Sequence, residues 1–297
     1  MYFVEQMTQS EIAERLGIGR VTVVRMLADA RARGEVKVVV EGTLTELVKL
    51  ERRLEQAFGL SQAIVAPLSA PDADPIPAIS ASTGQLLSDT VRAGMSIGVG
   101  WGQTLYATLP FIAARPLDEV TVISLLGGVG TARRHNPAEF AWRFSQLFNG
   151  DAYLIPAPAV VDSRKTRDTL IECCGIGDAL KRADSLDAVL VSVGDIASAT
   201  TFTRGGYLTD DDRRRFEAKG AVGDLLFHFF REDGTLIDDP VNEQIMSVEI
   251  ERLRKAPMRI LASGGAQKVA AMRGVIALLR PTVIVTDEMT ARGLLSR

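Results

Sequence analysis

The fold of the first part of the chain can be predicted from one stretch of sequence, Thr8-Gln9-Ser10-Glu11-Ile12-Ala13-Glu14-Arg15-Leu16-Gly17-Ile18-Gly19-Arg20-Val21-Thr22-Val23-Val24-Arg25-Met26-Leu27. Thr8 and Glu11 have the T-x-x-E spacing of a capping box, which starts a short helix. Gly17 is expected to end that helix, because the sharp turn needs positive φ. A second helix is expected from about Arg20 to Arg33. Its inward-facing residues are predicted to be Val23, Val24, Leu27 and Ala30.

Two helices joined by so short a turn predict a helix-turn-helix, and the β-rich run 35–40 that follows predicts a wing strand. Between Arg15 and Lys37 there are six basic and two acidic residues, a local charge of +4 in a chain whose net charge is −3. A basic helix of this kind suits the major groove of DNA. The alternative is a helical hairpin used for packing or protein contact. The predicted DNA-binding residues are Gly19, Arg20, Thr22, Val23 and Arg25.

The bulk composition fits a globular protein. The 297 residues are 46% hydrophobic and 24% charged, and no stretch approaches the roughly 18 apolar residues of a membrane span. No signal peptide is visible, so a cytoplasmic protein without membrane contact is expected. Cys173 and Cys174 are adjacent and are expected to be reduced. His135 and His228 lack ligand partners at a suitable spacing, so no metal and no cofactor is expected.

Three segments are predicted. Residues 1–42 form the winged helix-turn-helix. Such a domain normally has one more helix before the two described above. That helix is expected to be incomplete or truncated, because only Met1–Gln6 is available for it. Residues 43–58 form a helix with one apolar stripe, which either caps the large domain or pairs with its twin in a dimer. We favour the association role, because a single recognition helix reads too few base pairs. Residues 59–297 form the large domain.

In the large domain, apolar strand candidates alternate with helical patterns. This alternation predicts an α/β domain with a mainly parallel sheet, whose ligands bind at the carboxyl ends of the strands. The expected strands are Ala63–Ala66, Ser96–Val99, Val120–Leu126, Ala152–Ile155, Ala188–Val193, Leu225–Phe230, Met258–Ala262 and Thr282–Val285. The expected helices include Ala81–Val91, Thr104–Ala114, Asn136–Phe148, Asp210–Lys219 and Gln267–Leu279.

Three glycine-containing turns follow strands of this domain: 98–104, 125–130 and 263–268. Glycines let backbone N–H groups approach an anion, and Lys268 lies one turn into the helix after the third turn. Tight packing explains each turn equally well when it is taken singly. Together they favour a small phosphorylated ligand. Neither a complete G-x-G-x-x-G fingerprint nor a Walker A sequence is present.

Five motifs make the chain resemble the SorC family of sugar-binding transcriptional regulators. The helix-turn-helix is the first, and the others are Gly98-Val99-Gly100-Trp101-Gly102-Gln103-Thr104-Leu105, Leu125-Leu126-Gly127-Gly128, Gly220-Ala221-Val222-Gly223-Asp224 and Thr286-Asp287-Glu288-Met289-Thr290-Ala291. The resemblance covers essentially the whole chain. It implies a Rossmann-like effector domain similar to ribose-5-phosphate isomerase and glucosamine-6-phosphate deaminase. It further implies a homo-oligomer, dimer or tetramer, on operator DNA.

The resemblance also implies an effector site. The first loop (Gly100, Trp101, Gly102, Gln103, Thr104) and Lys268 would hold a phosphate. Gly128 and Asp224 would line the sugar side, and Asp195 is a further candidate that could equally be a helix cap. The strand before Gly127 ends in Leu125-Leu126 where some family members have a lysine, so covalent capture of an aldehyde is not expected there.

The sequence thus predicts a regulator of a carbohydrate or polyol operon, with operator DNA and a phosphorylated sugar or polyol as partners and no catalytic residues. The alternative is an enzyme, a sugar-phosphate isomerase or deaminase, which would need a poised carboxylate from a pool that includes Asp195, Asp224 and Asp287. The N-terminal segment favours the regulator, because a metabolic enzyme does not require a DNA-binding unit.

Overall fold

A computed structural model of the chain describes residues 1–2, 7–32, 44–70, 72–129, 136–197 and 209–296. The chain divides into two compact units, Met1–Gly42 and Thr43–Arg297. The predicted wing strand 35–40 and His135 lie outside the described residues.

The N-terminal unit contains helices α1 (Gln9–Leu16) and α2 (Arg20–Ala32). The predicted capping box is confirmed: the Thr8 hydroxyl accepts from the Glu11 N–H, and the Glu11 carboxylate accepts from the Thr8 N–H at 2.6 Å. Gly17 ends α1 with φ 65°, as predicted. The small core of this unit is built on Ile12, Ala13 and Val23.

Two assignments on α2 are corrected by burial. Val23 is only 3% exposed, so its inclusion among the DNA-binding residues is wrong, because it packs beneath the helix. Val24 was expected to face inward, yet it is 44% exposed. The neighbouring Val21, which the sequence did not single out, is 82% exposed. The inward face of α2 is therefore narrower than the run of apolar residues indicates.

The large unit is an α/β structure. Its described helices are α3 (Leu44–Phe58), α4 (Ile76–Thr90), α5 (Gln103–Thr108), α6 (Pro137–Gln146), α7 (Arg164–Cys173), α8 (Ile176–Lys181), α9 (Asp210–Ala218), α10 (Ile250–Leu253), α11 (Val269–Leu279) and α12 (Glu288–Leu295). Its described strands are β1 (Gln62–Ala66), β2 (Ser96–Val99), β3 (Thr121–Ser124), β4 (Asp151–Tyr153), β5 (Ala188–Val191), β6 (Gly194–Asp195), β7 (Gly223–Leu225), β8 (His228–Phe230), β9 (Met258–Ala262) and β10 (Val283–Asp287).

Seven strands form one sheet in the order β1-β10-β9-β5-β2-β3-β4, and every neighbouring pair is parallel. Alternate side chains enter two separate cores: Val189 and Val191 of β5 pack in one, and Ala188 and Leu190 in the other. A strand that is buried on both faces has a continuous run of apolar residues, and such runs predict these strands from the sequence. The predicted α/β fold with a mainly parallel sheet is confirmed.

One predicted strand, Leu225–Phe230, is wrong. It is a hairpin of β7 and β8, which extends with β6 into a small antiparallel sheet. Leu226 and Phe227 form its turn with φ of 53° and 67°. Left-handed φ at both central positions suits a tight hairpin, but Asn-Gly is the usual sequence there. Without that signal, the apolar run concealed the turn.

Helix α3 packs within the large unit. Its apolar stripe is formed by Leu47, Leu50 and Leu54, which are 7%, 4% and 0% exposed in the same core as β1 residues. The stripe therefore caps the large unit, the first of the two alternatives. An association role for this helix stays a prediction, and it would fall to the opposite, charged face.

Candidate functional site

The candidate site lies between β2 and β5, where the order in which the chain adds strands to the sheet reverses. From β2 the chain continues to β3 on one side, whereas β5 lies on the other side of β2 and leads on towards β9. Loops leaving neighbouring strands in opposite directions open a crevice at the carboxyl ends, where open α/β sheets bind ligands. The loop after β2 holds Trp101 and Gly102, and the segment after β5 holds Gly194 and Asp195.

Lys268 lies over the end of β5. Its Nζ donates to the Val193 carbonyl at 3.1 Å, and the Ser263 hydroxyl donates to the same oxygen at 3.3 Å. Asp195 and Asp224 are 5% and 4% exposed and stand on adjacent antiparallel strands, where Gly194 pairs with Asp224. The structure thus brings together three of the predicted effector residues: Lys268, Asp195 and Asp224.

The charges of this trio are coupled. Burial raises the pKa of Asp224 to about 7, with the nearby Asp195 carboxylate adding to the rise, against the Phe227 N–H and Lys268, which lower it. Burial lowers the pKa of Lys268, and the two carboxylates oppose that change. One cation facing two carboxyls does not favour a dianion by itself. The carboxyls instead suit hydroxyl donors, so a phosphate needs additional donors from the backbone.

The loop after β2 supplies such donors. Gly102 has φ 121°, a conformation that favours glycine, and it precedes α5 with no side-chain cap at the helix start. Gln103 is exposed, whereas Thr104 is buried, and the Thr104 carbonyl accepts from the Ser80 hydroxyl at 3.0 Å. Thr104 therefore anchors the loop, and Gly102 and Gln103 are its open part.

The same loop is tied to Asp224 through an aromatic stack. The Trp101 and Phe227 rings are nearly parallel, 7° apart in angle, with centroids 5.3 Å apart. The Phe227 N–H donates to Asp224 Oδ2 at 3.2 Å. Phe227 is one of the two non-glycine residues with positive φ in the β7–β8 turn, the backbone conformation that this tight hairpin requires. Sequence reasoning missed Phe227, because nothing in the run 225–230 marks a turn.

The other two glycine turns are explained by packing. Gly128 uses both backbone groups within the protein: its N–H donates to the Ala157 carbonyl at 2.7 Å, and its carbonyl accepts from the Ala159 N–H at 2.8 Å. A side chain at Gly264 would collide with the Asp287 carboxylate. Effector contact by Gly128 stays a prediction, and it would rest on shape alone.

Asp287 has a structural explanation. Its carboxylate accepts from the Gly265 N–H at 2.8 Å, from the Thr290 N–H at 2.9 Å and from the Thr290 hydroxyl at 2.6 Å. It is fully buried and caps α12. These bonds hold the turn after β9 against the start of α12, and they occupy one of the carboxylates named for the enzyme alternative.

His228 is the second residue that sequence reasoning missed. It follows Phe227, its Nε2 lies 2.9 Å from the Ser247 hydroxyl, and its Nδ1 is buried with no hydrogen-bond partner in the described part of the chain. Burial, reinforced by Arg167, lowers the pKa of His228 to about 4, so the ring is neutral at pH 7. A buried polar atom without a partner carries a desolvation cost.

His228→Gln is expected to make folding stability less sensitive to acid. Between pH 6.5 and about 4 the unfolded chain binds a proton at His228 that the folded protein excludes, so wild-type stability falls as the pH falls. Glutamine is neutral throughout and can still reach Ser247. Urea unfolding of both proteins from pH 8 to 4.5 measures the difference, which should grow towards low pH to a few kcal/mol. A constant difference would contradict a neutral buried ring.

Comparisons with known proteins identify a family for the large unit and relatives that match nearly the whole chain. The model of the Sugar-bind family, described as "Putative sugar-binding domain", matches residues 42–296. The chain belongs to this family. Among curated relatives, the erythritol catabolism regulatory protein EryD of Brucella abortus is 28% identical over 299 residues, covering 100% of this chain and 94% of that protein. The deoxyribonucleoside regulator of Bacillus subtilis is 28% identical over 298 residues, covering 100% and 95%.

A solved structure also matches nearly the whole length. The full-length sorbitol operon regulator SorC from Klebsiella pneumoniae superimposes with a TM-score of 0.81 at 26% identity, covering 99% of this chain and 96% of that one. The resemblance to the SorC family of sugar-binding transcriptional regulators is therefore confirmed. In the part of the chain that the structure describes, no helix is long and apolar enough to cross a membrane. No group of three or more potential metal ligands was found there either.

Proposed function

We propose that the protein is a DNA-binding transcriptional regulator of a carbohydrate or polyol operon, controlled by a phosphorylated sugar or polyol. The observation that carries the proposal is the Lys268–Asp195–Asp224 trio between β5 and β2, where the strand order reverses. The relatives that match nearly the whole chain are named as regulators. Burying a lysine beside two carboxyls lowers the free energy of unfolding. The presence of this group in a crevice therefore favours a binding role.

The effector site divides into two ends. At one end, Gly102 and Gln103 would offer backbone N–H groups at the uncapped start of α5 to a phosphate, and Lys268, which lies beside Asp195 and Asp224, would supply the cation. At the other end, Asp224 and Asp195 accept from sugar hydroxyls. The Trp101–Phe227 stack joins the two ends, so a ligand that spans them contacts elements from two different strands.

The N-terminal unit supplies the DNA-binding part of the proposal. Its two helices are joined by a turn at Gly17–Gly19, and Arg20 and Arg25 on α2 are exposed. The effector changes DNA affinity only by the difference in its affinity for the two states of the protein, typically about 1–3 kcal/mol of coupling. Assembly into a dimer or tetramer, in the cytoplasm, completes the proposal, because two recognition helices are needed for a selective operator.

The fold leaves fewer carboxylates that could serve as catalytic groups for the enzyme alternative. Asp287 is committed to three hydrogen bonds, which leaves Asp195 and Asp224 as the carboxylates at the crevice. Fold similarity to an isomerase or deaminase carries no activity by itself.

Lys268→Ala is expected to remove the response to phosphorylated ligands. The test is a thermal-shift screen of sugar and polyol phosphates and their unphosphorylated forms, since a tight ligand stabilises the folded state by mass action. A phosphate ester that raises the Tm of wild type should fail to raise that of Lys268→Ala. The exposed Lys255→Ala serves as the matched control and should respond like wild type. An equal shift in Lys268→Ala would contradict the phosphate assignment.

A further inference from the structure

Helix α2 carries an apolar stripe that faces solvent. Val21, Val24, Arg25 and Ala28 have the spacing of one helix face, and all four are exposed, with Val21 at 82% and Val24 at 44%. The helix is already anchored on its opposite side by Val23. The outward valines therefore do not contribute to the core of the N-terminal unit.

Helix stability does not explain these valines. β-branched side chains lose rotamer freedom in a helix and are weaker helix formers than alanine, lysine or glutamate. Exposing two of them one turn apart leaves apolar surface in water. An exposed apolar stripe of this kind points to a partner that buries it.

The charges around the stripe identify the partner. Arg20 precedes Val21, and Arg25 lies between Val24 and Ala28, so the stripe has a guanidinium at its start and another within it. Guanidinium groups bind phosphates or guanine edges, and the apolar group displayed in the major groove is the 5-methyl of thymine. A surface that alternates arginine with small aliphatic side chains matches a groove wall that alternates phosphates, base edges and thymine methyl groups.

We propose that Val21 and Val24 read thymine methyl groups in the major groove, so that the operator has thymines at fixed positions beneath the start of α2. This rests on the proposed DNA-binding function and adds base identity to it. The arginines position the helix on the DNA, and the valines select bases that carry a methyl group. Each methyl group buried in this way is worth roughly a fourfold difference in affinity.

The test removes the methyl group from the DNA. A random double-stranded library is selected on the full-length chain, and the enriched sequences are synthesised with thymine and with uracil, which lacks the 5-methyl. Fluorescence anisotropy should show wild type binding the thymine form more tightly by about fourfold per contacted methyl group. The double variant Val21→Ala, Val24→Ala should bind both forms with nearly equal affinity. Val48→Ala changes a valine on α3 that is 44% exposed, like Val24, and it should keep the wild-type preference.

Each other outcome counts against a specific statement. If no sequence is enriched, DNA binding itself fails, and the proposed function falls with it. If DNA is enriched but wild type binds the thymine and uracil forms equally, methyl reading is wrong while DNA binding stands. If the double variant keeps the preference, the valines are not the readers. If it changes only the oligomeric state in light scattering, the stripe is an interface between copies of the chain, and the proposal is overturned.

Discussion

Asp224→Asn is expected to weaken the effector response strongly and, at pH 8, to make the folded protein more stable. The Asp224 carboxyl is buried, and burial raises its pKa from 3.8 to about 7, so its charged form is disfavoured in the folded state. Asparagine has a similar shape and can still accept from the Phe227 N–H. It cannot accept from two ligand hydroxyls as a carboxylate can, so affinity for the effector should fall by at least about tenfold.

The sign of the stability change follows from proton binding. Between about pH 4 and 7 the unfolded chain loses the Asp224 proton while the folded protein keeps it, so wild-type stability decreases as the pH rises through this window. The asparagine variant lacks this decrease. Urea unfolding should therefore show a stability gain that grows from pH 4 to 7 and then levels at up to about 4 kcal/mol above its value at pH 4.

Asp239→Asn is the matched control with the opposite sign. Asp239 is equally buried, but the Lys219 Nζ at 2.8 Å and the Arg215 Nε at 3.0 Å hold its pKa below the usual value. Its asparagine variant should lose stability at pH 7 and keep the effector response. If Asp224→Asn were also destabilising at pH 8, Asp224 would not be a buried binding carboxyl whose charged form destabilises the folded protein.

Arg20→Ala combined with Arg25→Ala is expected to lower affinity for the selected DNA by at least about thirtyfold, since loss of an arginine that contacts a guanine edge costs about 1–3 kcal/mol. The dependence of log affinity on log salt should become shallower, because fewer counterions are released on binding. Effector binding by thermal shift should be unchanged, since both side chains belong to the N-terminal unit.

Arg53→Ala is the control for this pair. Arg53 is an exposed arginine on α3, which belongs to the large unit, and its loss should leave both the affinity and the salt dependence near wild type. Unchanged DNA affinity in the double variant would contradict the assignment of α2 as the recognition helix. A loss shared equally by Arg53→Ala would show a nonspecific charge effect.

Features that depend on local sequence could be predicted. The capping box at Thr8 and Glu11 and the end of α1 at Gly17 follow from short-range hydrogen bonding and backbone preference. The strands of the parallel sheet follow from continuous apolar runs such as 188–191. Lys268 could be predicted because a glycine turn marks a strand end, where ligands of α/β sheets bind, whereas Asp224 followed from the resemblance to the SorC family.

Features that depend on tertiary contacts could not be predicted. The Leu226–Phe227 turn has no turn signal, and its left-handed backbone accompanies the Trp101 stack and the bond to Asp224. The low pKa of His228 arises from burial and from Arg167, which is distant in sequence. Val24 was assigned to the wrong side because two adjacent valines cannot both face the core, and hydrophobicity alone does not choose between them.

Linkage between the two sites tests the proposed regulation most directly. The affinity of the full-length chain for its selected DNA is measured with and without the phosphate ester that gives the largest thermal shift. Wild type should change DNA affinity by about 5–150-fold, and the DNA should change ligand affinity by the same factor. Asp224→Asn should bind the DNA with a much weaker response to the ligand. DNA affinity that is unaffected by every bound ligand, or that responds equally in Asp224→Asn, would contradict regulation through this site.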